Sequence, residues 1–405
     1  MVDGDILTRD IADAAHRQPA RPTAISIESI VEGLAEKMST WHRLDVLRSL
    51  CDTAPPQPDS DGRTWLEVLE RSVDAVLDTC IDLDPTSDTT PRRTSDDRSV
   101  WIEPIASHAT SSHVLAQEEH ILTFASAAQL DLPTRSTTID EPGLDHGQHK
   151  AATSIAGHDR LVLVVGPAGA GKTTMLRSAV TDLHAHHRPV IGLAPTAKAA
   201  RVLETETGMM ADTVAKLFYD LDHPELSTAF WDPEPGTTVV VDEAGMLSTT
   251  DLHRLVVNTE QRQWRLALVG DPYQLQAVGR GGMFKELCDT SRTVELEHLH
   301  RFTNSWEAHA SLQLREASTA VLYTYQAHAR IKPGTLDEHL DTITAAWTAS
   351  RDRGETFSIT TTRNEDVEAI NEHVQRCRTT SGELDTGTMV ELANESSAMI
   401  GDVVA

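Results

Sequence analysis

The run Gly166-Pro167-Ala168-Gly169-Ala170-Gly171-Lys172-Thr173 constrains this chain more than any other feature. It fits G-x-x-x-x-G-K-[ST] and lies between a continuous apolar run, Leu161–Val165, and a helix-like stretch, Thr173–His184. That context demands a strand, a tight turn and a helix in succession, hence an α/β arrangement. Glycines let the backbone wrap around phosphates with its N–H groups pointing inward, and the helix N-terminus adds partial positive charge there. Lys172 is expected to reach the β- and γ-phosphates and the Thr173 hydroxyl to ligand Mg²⁺, with the nucleotide-contacting run extending from Gly166 to Thr174.

Such a site needs a carboxylate on a neighbouring strand. Val239-Val240-Val241-Asp242-Glu243-Ala244 supplies one, 70 residues beyond Lys172. Asp242 is the expected metal-associated residue, and Glu243 is placed to orient or deprotonate an attacking water. Two acids after an apolar run also describe an ordinary strand terminus, so this reading depends on its coupling to the glycine loop. A third strand end, Leu266 to Val269 followed by Gly270-Asp271-Pro272-Tyr273-Gln274, puts Gln274 at the same sheet edge, where an amide can report a γ-phosphate.

From Arg160 to Asp271, the short β-rich runs Leu161–Val165, Val190–Leu193, Thr238–Val241 and Leu266–Val269 alternate with helical stretches, which predicts a parallel sheet. Their unbroken apolar character predicts that both faces are covered. Asp84 to Ser99 combines Pro, Ser, Thr and charge without periodicity, the composition of a linker. A further strand-like run, Phe357–Thr362, precedes a helix-like Glu365–Gln375. The expected organisation is a helical N-terminal region (1–83), a linker (84–99), a helical pre-core segment (100–155), the nucleotide-binding domain (156–305), a helical connector (306–355) and the start of a second α/β lobe (356–405).

Composition narrows the partners. Lys and Arg number 35 against 62 Asp and Glu, a net charge of −27, so any hold on nucleic acid must be local. The four cysteines have no C-x-x-C spacing, which removes zinc-ribbon and thioredoxin readings. Neither an apolar signal segment nor a membrane-length apolar run occurs, and the expected location is cytoplasmic without membrane insertion.

With these residues in view, the chain resembles superfamily 1 DNA helicases of the branch that includes the exonuclease V alpha subunit, and above all the helicase region of conjugative relaxases of the TraI/TrwC/TraA type. Asp242-Glu243-Ala244 matches the D-E-A box and Gly270-Asp271-Pro272-Tyr273-Gln274-Leu275 the G-D-x-x-Q-L motif. Gln148 looks like the glutamine that recognises adenine. Pro195, Thr196 and Lys198, with Thr213 further on, look like the segment that touches single-stranded DNA. In Leu299-His300-Arg301-Phe302, Arg301 is the nominee for an arginine approaching the γ-phosphate. The resemblance implies a RecA-like P-loop ATPase that uses Mg-ATP to translocate along single-stranded DNA, 5′ to 3′ in that family, with other conjugation proteins as further partners.

Two departures bear on this. The relaxase half, with its catalytic tyrosines and three-histidine metal site, has no counterpart; His184-Ala185-His186-His187 reads instead as a solvated helix terminus. Thr360 to Asn371 resembles the opening of the second motor domain and Gly401-Asp402-Val403-Val404 its next element, but the late motifs are missing. The expectation is a middle fragment of a longer relaxase-helicase, or the product of a split or truncated gene, not expected to unwind DNA alone. The alternatives are a non-catalytic ATP-binding interaction module and an inactive fragment.

Overall fold

The computed structural model describes residues 26–53, 61–83, 108–130, 139, 142–225, 233–275, 277, 279–391 and 397–402. The expected linker 84–99 and the residues Val403-Val404 lie outside them. The chain divides into two compact units, Met1–Ser318 and Thr319–Ala405.

The first unit is built on six parallel strands: β3 Leu161–Val165, β4 Val190–Ala194, β5 Met210–Thr213, β6 Thr238–Val241, β7 Arg265–Gly270 and β8 Thr293–Glu295. Their order across the sheet is β5-β4-β6-β7-β3-β8. In-register pairs such as Leu161 with Leu266 and Val239 with Leu266 align the three central strands. Because successive side chains on a strand face opposite ways, each of β3, β4, β6 and β7 feeds two cores. Leu161, Leu163, Ile191, Leu193, Val239, Val241, Leu266 and Leu268 pack on one face against the helices Ser112–Leu130, Val214–Asp222, Thr249–Arg262 and Met283–Thr290. Val162, Val164, Val190, Val240, Ala267 and Val269 pack on the other against His146–Ala156 and Lys172–Ala185. The architecture is thus the expected α/β one, with both faces covered.

Two edge strands, β5 and β8, were not anticipated from the sequence. The N-terminal helices Ile27–Lys37, Arg43–Thr53 and Gly62–Leu77 close around a separate cluster centred on fully buried Trp41, Val46 and Leu50. Arg43 bridges Glu70 and Asp74 across two of them. The two-residue strands β1 Ile81–Asp82 and β2 Ala109–Thr110 pair antiparallel beside this cluster.

The second unit holds helices Val321–Ala327, Leu336–Asp352 and Asn364–Thr380 and an antiparallel pair, β9 Asp385–Glu391 and β10 Ser397–Ile400. The expected strand Phe357–Thr362 is a correction: the segment carries no strand and the helix begins at Asn364. An extended run becomes a strand only where another strand takes up its N–H and C=O groups, and among the described residues none does. Glu383 ties two of the helices together through Arg351 and Arg378, and these hydrogen bonds push its carboxyl down to about 2.

Candidate functional site

All six parallel strands end at one edge, where α/β sheets gather their ligands. Following the strand order, that edge presents Thr213, then Pro195 and Thr196, then Asp242 and Glu243, then Asp271 to Gln274, then the glycine loop, and finally the segment leading to Arg301. A cleft of about 490 Å³ opens there. Its walls are Pro167, Ala168, Gly169, Gly171, Lys172 and Thr173 from the loop, with Glu243, Gln274, His300 and Arg301 from three other segments. Five of the six residues nominated for catalysis, Lys172, Thr173, Glu243, Gln274 and Arg301, therefore meet at one cavity, and the sixth, Asp242, stands next in sequence to Glu243.

The loop is shaped by its glycines. Gly169 and Gly171 have φ of +85° and +77°, a region closed to most L-residues. A Cβ on Gly169 would meet Arg301 Cβ at 2.5 Å, so the glycine lets the arginine lie directly over the loop. Gly171 caps the helix Lys172–Ala185, whose first backbone N–H groups have no intrahelical acceptors. Thr173 and Thr174 sit in that first turn. Lys172 Nζ donates to the Gly166 carbonyl at 3.2 Å and lies 3.3 Å from Glu243 Oε1.

Asp242 continues the β6 ladder, its N–H donating to Leu193 O at 2.9 Å. Burial raises its carboxyl above the ordinary value; the neighbouring Glu243 charge adds to the rise and Lys172 opposes it. Glu243 itself adopts a left-handed conformation, φ 54° and ψ 42°. That is a strained geometry for a glutamate, of the sort held in place only by surrounding structure. It lets two consecutive acids serve different positions: Asp242 stays half-buried at the strand end while Glu243 reaches the cleft.

Gln148 is placed differently from the other nominees. It is 3% exposed and does not line the cleft. Together with Asp145 it forms a capping box at the start of helix His146–Ala156: Gln148 N–H donates to Asp145 Oδ1 at 2.8 Å and Gln148 Oε1 accepts from Asp145 N–H at 3.0 Å. Its Nε2 donates to the Ala170 carbonyl at 3.1 Å. The side chain thereby braces the glycine loop from beneath. Asp145 Oδ2 also meets His300 Nε2 at 3.0 Å, and His300 N–H donates to Gly169 O at 2.8 Å, so the loop is held from both sides.

The residues nominated for DNA come together at the outer part of the edge. Ala194 and Thr213 are register partners on β4 and β5, which puts Pro195, Thr196 and Thr213 at the same end of adjacent strands. Thr196 caps the helix Ala197–Thr207 by accepting from Ala199 N–H at 3.2 Å, and Thr213 caps Val214–Asp222 by accepting from Lys216 N–H at 3.1 Å. Lys198 is exposed in the first turn of its helix.

Sequence reasoning missed Asp271 and Arg315. Asp271 is 3% exposed and receives Arg315 through two nitrogens, Nε at 2.9 Å and Nη2 at 2.7 Å. Gln274 Nε2 donates to the same carboxylate at 3.2 Å. The G-D pair marked the turn, but no local signal marks an arginine 44 residues away as its partner.

A glycine loop between a buried strand and a helix, with acids at the end of the neighbouring strand and a sheet of this order, defines a P-loop nucleotide-binding domain. Residues 143–336 match the AAA domain family. Among curated proteins, the probable conjugal transfer protein TraA of Sinorhizobium fredii is 30% identical over 294 residues, 72% of this chain and 24% of that protein. The conjugal transfer protein TraA of Rhizobium radiobacter is 33% identical over 286 residues, 64% of this chain and 25% of that one. The ATP-dependent RecD2 DNA helicase of Deinococcus radiodurans is 34% identical over 164 residues, 39% of this chain and 22% of that protein. The chain is a relative of the superfamily 1 helicases, an ATPase and helicase family of enzymes, and of the relaxase-helicases among them. It spans about a quarter of the length of the TraA relatives it matches. Among the described residues no helix is long and apolar enough to cross a membrane.

Proposed function

We propose that this chain contains the ATP-binding and ATP-hydrolysing core of a single-stranded-DNA translocase of the conjugal relaxase-helicase kind, working in the cytoplasm beside other conjugation proteins. The observation that carries the reading is the convergence of Lys172, Thr173, Glu243, Gln274 and Arg301 on one cleft at the C-terminal edge of the sheet. Lys172 and the loop amides hold the β- and γ-phosphates. Thr173 and Asp242 offer the hard oxygen donors that Mg²⁺ takes, usually alongside substrate phosphates and water. The half-buried Asp242, its carboxyl raised by desolvation and by Glu243, has Lys172 as its countercharge among the described residues, which fits a carboxylate built to meet a further cation. When bound, Mg²⁺ supplies charge neutralisation at the phosphates. Glu243 orients the attacking water, and Gln274 with Arg301 meets the γ-phosphate.

Pro195, Thr196, Lys198 and Thr213 are the proposed contact with single-stranded DNA. Support comes from their position at or just past the C-terminal ends of β4 and β5, the two strands beside the nucleotide end of the same edge. Binding at one end of a shared sheet edge offers a mechanical route to the other.

The test is ATP turnover by the purified chain with and without single-stranded DNA, against Lys172→Ala. DNA-stimulated turnover lost in that variant is expected. ATP binding with no turnover under either condition would favour a non-catalytic module, and binding unaffected by Lys172→Ala would remove the nucleotide reading itself.

A further inference from the structure

Resting on the ATP reading above, we propose that Arg315 is a positioning residue for the γ-phosphate end of the cleft, acting through Asp271 on the amide of Gln274. Arg315 is not among the residues that line the cleft. It is the last residue of the helix Ser305–Arg315, and it grips Asp271 with Nε at 2.9 Å and 3.0 Å from the two carboxylate oxygens and Nη2 at 2.7 Å from Oδ1. A fork of this kind fixes the plane of the carboxylate as well as its place. The guanidinium also lies 4.3 Å over the Tyr273 ring, which limits its own freedom.

Asp271 passes that geometry on. Its Oδ1 accepts from Tyr273 N–H at 3.1 Å and its Oδ2 from Gln274 Nε2 at 3.2 Å, while its backbone carbonyl accepts from Gln274 N–H at 3.2 Å. A carboxylate engaged in an ion pair only accepts hydrogen bonds, so it dictates which end of the Gln274 amide it holds. The NH₂ group is drawn to Asp271, and the carbonyl oxygen and second N–H are left for the cleft. An acceptor and a donor side by side suit a water and a phosphate oxygen. Without the arginine, Asp271 loses its anchor and the amide its fixed sense.

This makes a prediction separable from nucleotide binding as such, because ADP lacks the group that Gln274 faces. Binding of fluorescent ADP and of a fluorescent non-hydrolysable ATP analogue, both with Mg²⁺, is measured for the whole chain and for Gln274→Ala, Arg315→Lys, Arg315→Ala, the Gln274→Ala/Arg315→Lys double variant and Lys172→Ala. Arg315→Lys keeps the charge beside buried Asp271 but not the fork, so it decides the matter even where Arg315→Ala fails to fold. The expected result is a loss of about tenfold in preference for the triphosphate over ADP in Arg315→Lys, the size of one hydrogen bond to a charged group. ADP affinity stays level. The double variant should be no worse than Gln274→Ala alone, because the arginine acts only through that amide. Equal weakening of both nucleotides, an unchanged preference, or losses that add in the double variant would each overturn the proposal. Failure of the ATP reading looks different: the unaltered chain would bind neither nucleotide, or Lys172→Ala would bind both as well.

Discussion

Gly171→Ala is the sharpest test of how the glycine loop is held. At φ +77° an alanine carries a left-handed strain of about 1–2 kcal/mol. The larger effect is steric: its Cβ would sit 2.2 Å from Gln148 Nε2, a distance no Cβ tolerates. Gln148 must therefore swing away, which breaks its bond to Ala170 O and its half of the capping box with Asp145. A lost buried hydrogen bond costs about 1 kcal/mol net and a lost cap about 1 kcal/mol more. The sum is about 3–4 kcal/mol, of which about 2 kcal/mol flows through Gln148. Chemical denaturation of the unaltered chain, both single variants and the Gly171→Ala/Gln148→Ala double variant measures this as a cycle. With Gln148 already removed, Gly171→Ala should cost only its backbone strain, giving a coupling of about 2 kcal/mol. Strictly additive losses would refute the steric argument and, with it, the role of Gln148 as the brace under the loop.

Two further outcomes are expected. Asp242→Asn should stabilise the nucleotide-free chain while abolishing Mg²⁺-dependent nucleotide binding. The native carboxyl holds its proton more tightly than the unfolded one, so the charged residue takes stability away as pH rises from about 3.8 through the raised native value. The gain in melting temperature of Asp242→Asn should accordingly be absent in strong acid and grow towards neutrality; a flat difference would contradict the burial argument. Single-stranded DNA affinity should depend only shallowly on salt. Of the cations near β5, Lys216 is paired with Asp220 and Arg254 with Asp222, leaving Lys198 of the nominated set and Arg201 exposed on the same helix. One or two phosphate contacts give a slope of log affinity against log salt of about −1. A slope several times steeper would place the DNA on some other, more basic surface.

The central strands β3, β4, β6 and β7 were legible because each is buried on both faces and so reads as an unbroken apolar run. β5 and β8 were not. Met210-Ala211-Asp212-Thr213 and Thr293-Val294-Glu295 lie at the sheet edges, half-exposed and mixed in polarity, and only pairing with β4 and β3 makes them strands. Phe357–Thr362 misled for the converse reason: it has strand-like composition and, among the described residues, no strand to pair with. At the site, the glycine loop and the Asp242-Glu243 pair were readable because their geometry is set within a few residues of chain. The left-handed turn at Glu243 was not, since nothing in the residue type asks for it.

Gln148 and Arg315 show where local reading stops. Asp145-His146-Gly147-Gln148 is a capping-box pattern on its face, so half of the role of Gln148 was available from spacing alone. The other half, the bond to Ala170, depends on helix His146–Ala156 packing beside Lys172–Ala185. Arg315 has no such pattern: an arginine in the last turn of a helix is ordinarily a solvated complement to the helix dipole. Yet both side chains act alike, each committing its polar group to a loop rather than to the cleft. A cleft whose walls are held by groups outside it keeps its shape before ligand arrives, which is the condition under which positioned charges act without reorganisation. Substitutions at these two positions should therefore alter how nucleotide is held without touching it, and a search confined to cavity-lining residues would pass over both.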